Sequence, residues 1–282
     1  MALAIAARVD DPGPVAIALA SGRASELRAV ALPREHGGWA LTLEPVLLGL
    51  LVAPSVAGVY VGLVAVMAFL ARTPFKLAVG DARRGRRLPR TVTAAQIAAA
   101  ELVVAGALAL AAAARAGSAV WWPVTVMAPL VALQLAFDVR ARSRRLLPEL
   151  AGAVAVGGFG AAMVTAGRDD VRLAAALWLV LAARNVSTVV AVRGAVAALH
   201  GHRAPPVRTA VADATAVLLA VAALLVDGAA AGGAVAVGGA IVAQRRWTRQ
   251  APVTAVVLGA RQAALGVAVV LAAATGVTLQ HL

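Results

Sequence analysis

Apolar runs of Ala, Val, Leu and Gly, broken by short polar segments, occupy this chain from residue 38 almost to its end. A helix needs about 20 apolar residues to cross the hydrocarbon core of a bilayer, with a working range near 17 to 25. Runs of roughly that length lie at 38–54, 55–72, 94–114, 119–137, 148–167, 172–193, 209–226, 229–244 and 253–275. The first two must turn at Ala53-Pro54-Ser55 and the seventh and eighth at Asp227-Gly228; merging either pair would lower the count to eight or seven. The pattern predicts an all-α fold, a polytopic transmembrane helical bundle of about nine spans. It divides the chain into residues 1–32, a tail ending in a short interfacial helix over Ser25–Leu32, and residues 33–282, one transmembrane helical domain.

Composition agrees with the pattern. A soluble domain is about half apolar and a quarter charged, whereas this chain of 282 residues is 62% hydrophobic and 14% charged. The absence of cysteine excludes disulfides, thiolate metal sites and thiol nucleophiles. A net charge of +13 would suit a nucleic-acid partner, but such surfaces need a solvated basic domain, often with stacking aromatics. Aromatics are 4% here and no hydrophilic block is large enough to fold separately. The expected partner is membrane lipid, with no nucleic acid. The amino terminus does not read as a signal peptide: Met1–Ala7 is short, lacks a preceding basic region and runs into Asp10 and Asp11.

The basic residues then orient the bundle, because Lys and Arg flanking membrane helices are retained in the cytoplasm. The connections after spans two, four, six and eight carry 17 Lys and Arg, and the amino-terminal segment adds four; the other connections hold only Arg115, Arg168 and Arg172. The expected location is a bacterial plasma membrane, with a cytoplasmic amino terminus.

Two arginines remain, Arg184 and Arg261, both inside predicted spans. An ionised side chain is costly in lipid and should face the bundle interior, a partner or water. On a rise of about 1.5 Å per residue, Arg184 lies roughly 13 Å from Arg193, Glu44 about 9 Å into span one and Glu101 about 10 Å into span three. Gln134, Asn185, Asp213 and Gln262 fall in the same half, with Asp138 and Glu149 at its edge. The opposite half has almost nothing comparable. This asymmetry predicts a polar cavity open to the cytoplasm; the alternative is that Glu44 or Glu101 pairs with Arg184 or Arg261 only to hold the bundle together. His36 is a candidate proton shuttle or anion ligand. His200 and His202 lack the further ligands that a metal site requires, and no metal ligands are assigned.

The segment Pro33-Arg34-Glu35-His36-Gly37-Gly38-Trp39, followed by Glu44-Pro45, resembles the hallmark of the YwiC-like family of bacterial membrane proteins. The resemblance continues through Arg72-Thr73-Pro74, Phe137-Asp138, Leu147-Pro148-Glu149-Leu150-Ala151-Gly152 and Ala183-Arg184-Asn185 to Val192-Arg193. The layout also resembles the UbiA-type prenyltransferase superfamily, which implies nine helices and functional connections after helices two and six. Those enzymes hold Mg²⁺ on paired carboxylates four residues apart, where the ion neutralises a prenyl diphosphate. None of the eight Asp residues here has another Asp four positions away, so Mg²⁺ is not supported and no cofactor is assigned.

Arginine and lysine can neutralise phosphate oxygens directly. The leading expectation is therefore a UbiA-like membrane protein that binds an amphipathic anion, of isoprenoid or quinone-like type, in a cytoplasm-facing cavity. Arg72, Lys76, Arg184, Arg193 and Arg261 would hold the headgroup; His36, Glu44 and Glu149 would be acid-base or orienting groups. Whether such a protein is a transferase without the usual Asp pairs, a small-anion transporter or a non-catalytic assembly partner is left open by the residues alone.

Overall fold

The computed structural model describes residues 30–33, 36–140, 142–202 and 205–280, with His36 described in its backbone only. The tail over residues 1–29, with most of the expected interfacial helix, lies outside the described residues, as do Arg34, Glu35, the His36 side chain and Arg203.

Nine α-helices and no strands form among the described residues: α1 (His36–Val52), α2 (Val56–Arg83), α3 (Pro89–Ala116), α4 (Trp122–Val139), α5 (Leu146–Arg168), α6 (Val171–Leu199), α7 (Pro206–Val226), α8 (Ala231–Trp247) and α9 (Ala255–Gln280). Short 3-10 turns precede α4 and α8. Both turns that set the count are made by local chemistry. The Ser55 hydroxyl accepts from the Gly58 N–H at 2.9 Å and starts α2, while Asp227 accepts from the Ala229 N–H at 2.9 Å and separates α7 from α8. Such caps satisfy amide donors that the first helical turn leaves unpaired.

Several helices outrun their expected bounds. The apolar run of span two ends at residue 72, but α2 continues through Arg72-Thr73-Pro74 to Arg83, so Arg72, Lys76 and Arg83 stand on a helix rather than in a loop. Its 28 residues give about 42 Å at 1.5 Å per residue, more than a hydrocarbon core of about 30 Å requires. The excess is a polar extension that carries cations beyond the apolar zone. Interior prolines occur in α1 (Pro45), α2 (Pro74) and α4 (Pro129). Each lacks the N–H that would close a bond to the carbonyl four residues earlier.

The helices α5 and α6 form the centre. Of their most apolar 18-residue windows, 61% and 72% are buried, against 17% for α3. α6 packs on α5, α7, α8 and α9, and α5 packs on α4, α1 and α2. Small residues permit these approaches: a Cβ at Gly160 of α5 would come 3.1 Å from the Pro45 carbonyl oxygen of α1. Where hydrocarbon surrounds the helices, such close packing replaces the hydrophobic effect as an associating force. Gly157 and Gly158 likewise lie against Trp178, but Gly238 and Gly239 face open space, so close packing does not account for that pair.

The outward faces are apolar and bare, with Leu110, Leu225 and Val256 each more than 70% exposed. A water-soluble monomer rarely exposes contiguous apolar surface on this scale. Among the described residues, seven helices are long and apolar enough to cross a membrane; α1 is a shorter apolar helix. The chain is a multi-pass α-helical integral membrane protein.

Candidate functional site

The buried polar residues converge where α1, α6, α8 and α9 meet. Arg184, on the most enclosed helix, is 2% exposed. One of its terminal nitrogens donates to Glu44 Oε1 at 2.8 Å and to the Gln262 carbonyl at 2.7 Å. The other donates to the Thr188 hydroxyl at 3.0 Å, one helical turn further along α6. The Gln244 amide nitrogen donates to the same hydroxyl at 3.0 Å and to Gln262 Oε1 at 3.2 Å. The guanidinium thus ties α1, α6 and α9 together, and Gln244 joins α8 to them through Thr188 and Gln262.

Glycine at position 266 makes room for this node. A Cβ there would fall on the Glu44 carboxylate and 2.6 Å from the Arg184 guanidinium, so the backbone of α9 comes directly against the ion pair. Glu44 also precedes Pro45, which removes a donor from α1 beside the site. Asn185 turns away from the node and donates to the Ala153 carbonyl of α5 at 2.6 Å.

A second polar region lies at the end of the bundle that carries most of the arginines. Asp138 is buried at the end of α4, where it accepts from Arg72 at 2.9 and 3.3 Å and lies 3.6 Å from Lys76. The Lys76 ammonium also reaches the Ser143 hydroxyl at 3.4 Å, and Arg83 donates to the Val139 carbonyl at 3.2 Å. Beside them opens a cleft of about 450 Å³ lined by Lys76, Gly80, Arg83, Arg84, Asp138, Val139, Arg140 and Ser143. Elsewhere among the described residues, Arg193 pairs with Glu149 at 2.7 Å, Arg245 with Asp213 and Arg90 with Asp81 at 3.4 Å.

The residues singled out from the sequence are therefore divided among separate places. Glu44 and Arg184 meet at depth; Arg72 and Lys76 share Asp138; Arg193 and Glu149 pair with each other. The Arg261 guanidinium lies 5.0 Å from the centre of the Trp247 ring, a cation–π arrangement. Glu101 is on α3, which packs chiefly on α2, and its buried Oε2 has no hydrogen-bond partner among the described residues. Of the open pairings among Glu44, Glu101, Arg184 and Arg261, the bundle makes Glu44–Arg184.

Three contributors escaped the sequence reading: Thr188, Gln244 and Gly266. Gln244 sits at the end of a predicted span, next to Arg245 and Arg246, and reads as part of the interface. A signal was present, since Gly233, Val237, Ala240 and Gln244 form one buried stripe of α8 at helical spacing. Thr188 lies four residues after Arg184 on the same face of α6. Among the described residues no three or more His, Asp or Glu side chains gather where they could hold a metal ion.

The class of protein is thus a polytopic α-helical membrane protein with a charged node buried in its interior and a basic cleft at one end. Residues 32–164, from the start of α1 through most of α5, match the family model described as YwiC-like protein, so this stretch is similar to that family. Glu44, Arg72, Lys76 and Glu149 fall inside the matched region, and Arg184, Arg193, Gln244 and Gln262 fall beyond it. No curated protein and no solved structure matches the chain.

Proposed function

We propose that this membrane protein binds an anionic amphiphile at its basic end, with the headgroup in the cleft beside Lys76 and the apolar tail along the neighbouring helix faces. The observation that carries this reading is the charge around the cleft. Lys76, Arg83, Arg84 and Arg140 line it against one carboxylate, Asp138, which Arg72 already engages through two hydrogen bonds. Charge-assisted hydrogen bonds from Arg and Lys to phosphate-type oxygens are short and strong. Exposed apolar residues such as Val59 and Leu63 of α2 offer surface to an isoprenoid or acyl chain. The excess of basic residues in alternate connections supports a cytoplasmic location for this end, in a bacterial plasma membrane.

Native mass spectrometry of the protein in nanodiscs of phosphatidylglycerol or phosphatidylcholine tests the reading. Anionic lipid is expected to stay bound after release, and Lys76→Gln combined with Arg140→Gln should reduce that binding about tenfold. Equal retention of both lipids, or no change in the variant, rejects the cleft as the headgroup site.

A second reading, transport of a small anion, draws on the prolines inside α1, α2 and α4. Discontinuities of helical hydrogen bonding at membrane depth are a feature of transporter binding sites. It requires anion flux into proteoliposomes that Arg184→Ala abolishes; no flux across a panel of candidate anions removes it.

A further inference from the structure

We propose that the Arg184–Glu44 node is an internal hydration site, holding ordered water at membrane depth between α1, α6, α8 and α9. The ion pair is only half used. Glu44 binds Arg184 through Oε1 alone, and three buried polar atoms of the node have no hydrogen-bond partner among the described residues: Glu44 Oε2, Arg184 Nε and Gln244 Oε1. Glu44, Arg184 and Gln244 are all at most 5% exposed. Exchanging the oxygen and nitrogen of the Gln244 amide would put an unpaired donor where an unpaired acceptor stands, so the shortfall persists in either orientation. Buried polar atoms are seldom left unpaired, because each costs about 1–3 kcal/mol.

The chemistry of these atoms selects the occupant. They comprise two acceptors, one of them anionic, and one cationic donor. A metal cation would be opposed by Arg184, and a second anion by Glu44 and the amide oxygen. An apolar group would leave all three atoms unsatisfied. Water both donates and accepts, and buried waters typically make about three hydrogen bonds to such groups. Water here completes the coordination of the pair and gives the Glu44 carboxylate a proton-transfer neighbour that a dry ion pair lacks.

Two measurements on the intact protein in nanodiscs test the proposal. A density map at a resolution that shows ordered water should contain solvent peaks within hydrogen-bond distance of at least two of the three atoms. A node closed without water, with Glu44 and Arg184 rotated into a two-point contact, overturns the proposal. Infrared difference spectra in H₂¹⁸O should show the shifted O–H stretch of internal water, and Gln244→Leu should remove part of it. Glu44→Gln keeps the shape of the site and serves if Gln244→Leu does not fold. An internal-water band unchanged in the variant that folds also overturns the proposal.

Discussion

Two Arg–Glu pairs start from the same helix, nine residues apart. Arg184 meets Glu44 at 2.8 Å with the two side chains 2% and 5% exposed, whereas Arg193 meets Glu149 at 2.7 Å with both about one-third exposed. The contact lengths are nearly equal, so geometry alone does not separate them. Their surroundings do. Arg193 also donates to the Arg144 carbonyl in the exposed rim, where water can replace any partner it loses. Arg184 has no such substitute, and its remaining bonds run to two further groups, the Thr188 hydroxyl on α6 and the Gln262 carbonyl on α9. Similar pairs therefore do different work: one fixes how four helices meet, and the other adds modestly to a solvated end.

Removing one partner from each pair gives the widest separation. Arg184→Ala strands a buried carboxylate and should destabilise the protein by about 3–5 kcal/mol, measured by reversible unfolding in detergent micelles. Replacing both partners together, Arg184→Met with Glu44→Leu, should recover much of that loss, because apolar substitutes of similar volume can match a buried ion pair. A double variant as unstable as the single one would mean that the pair holds the helices through something other than its charges.

The next effect probes the room around the deep pair. Gly266→Ala should cost about 1–3 kcal/mol by forcing the ion pair and α9 apart, while Gly259→Ala on the same helix, with nothing within 4 Å of its added Cβ, should be neutral or slightly stabilising through helix propensity. Equal effects in the two variants would show that α9 does not press on the node. The smallest effect belongs to the rim. Arg193→Ala should cost less than about 1 kcal/mol, since partly exposed pairs are screened by water and salt. The coupling between Arg193 and Glu149 in a double-mutant cycle should fall as salt is raised, and that between Arg184 and Glu44 should hold constant. A salt-insensitive rim pair would remove the distinction.

The contrast was partly legible beforehand. Arg184 stands out because its nearest charged neighbours in sequence, Arg172 and Arg193, are 12 and nine residues away. Any membrane reading must therefore give it an interior partner. Glu44 was likewise conspicuous within an apolar run. Gln244 was not, since it abuts Arg245 and Arg246 and its inward direction depends on how α8 rotates against α6 and α9. The polar end of α2 was read as a loop because hydropathy falls at Arg72. A helix, however, persists wherever its backbone bonds can close, whatever solvent surrounds it.

What the sequence by itself determined were the apolar runs, the two turns that set nine helices, the lopsided distribution of basic residues and the need for a partner at Arg184. These follow from local chemistry: hydrocarbon selects for helices of a given length, and charge resists burial. Only the tertiary structure decided that Glu44, 140 positions away, would be that partner, that Gln244 and Thr188 would join it, and that Gly266 would make the space. Those contacts depend on the packing of α1, α6, α8 and α9 around one point, and no local pattern encodes the angle at which one helix meets another.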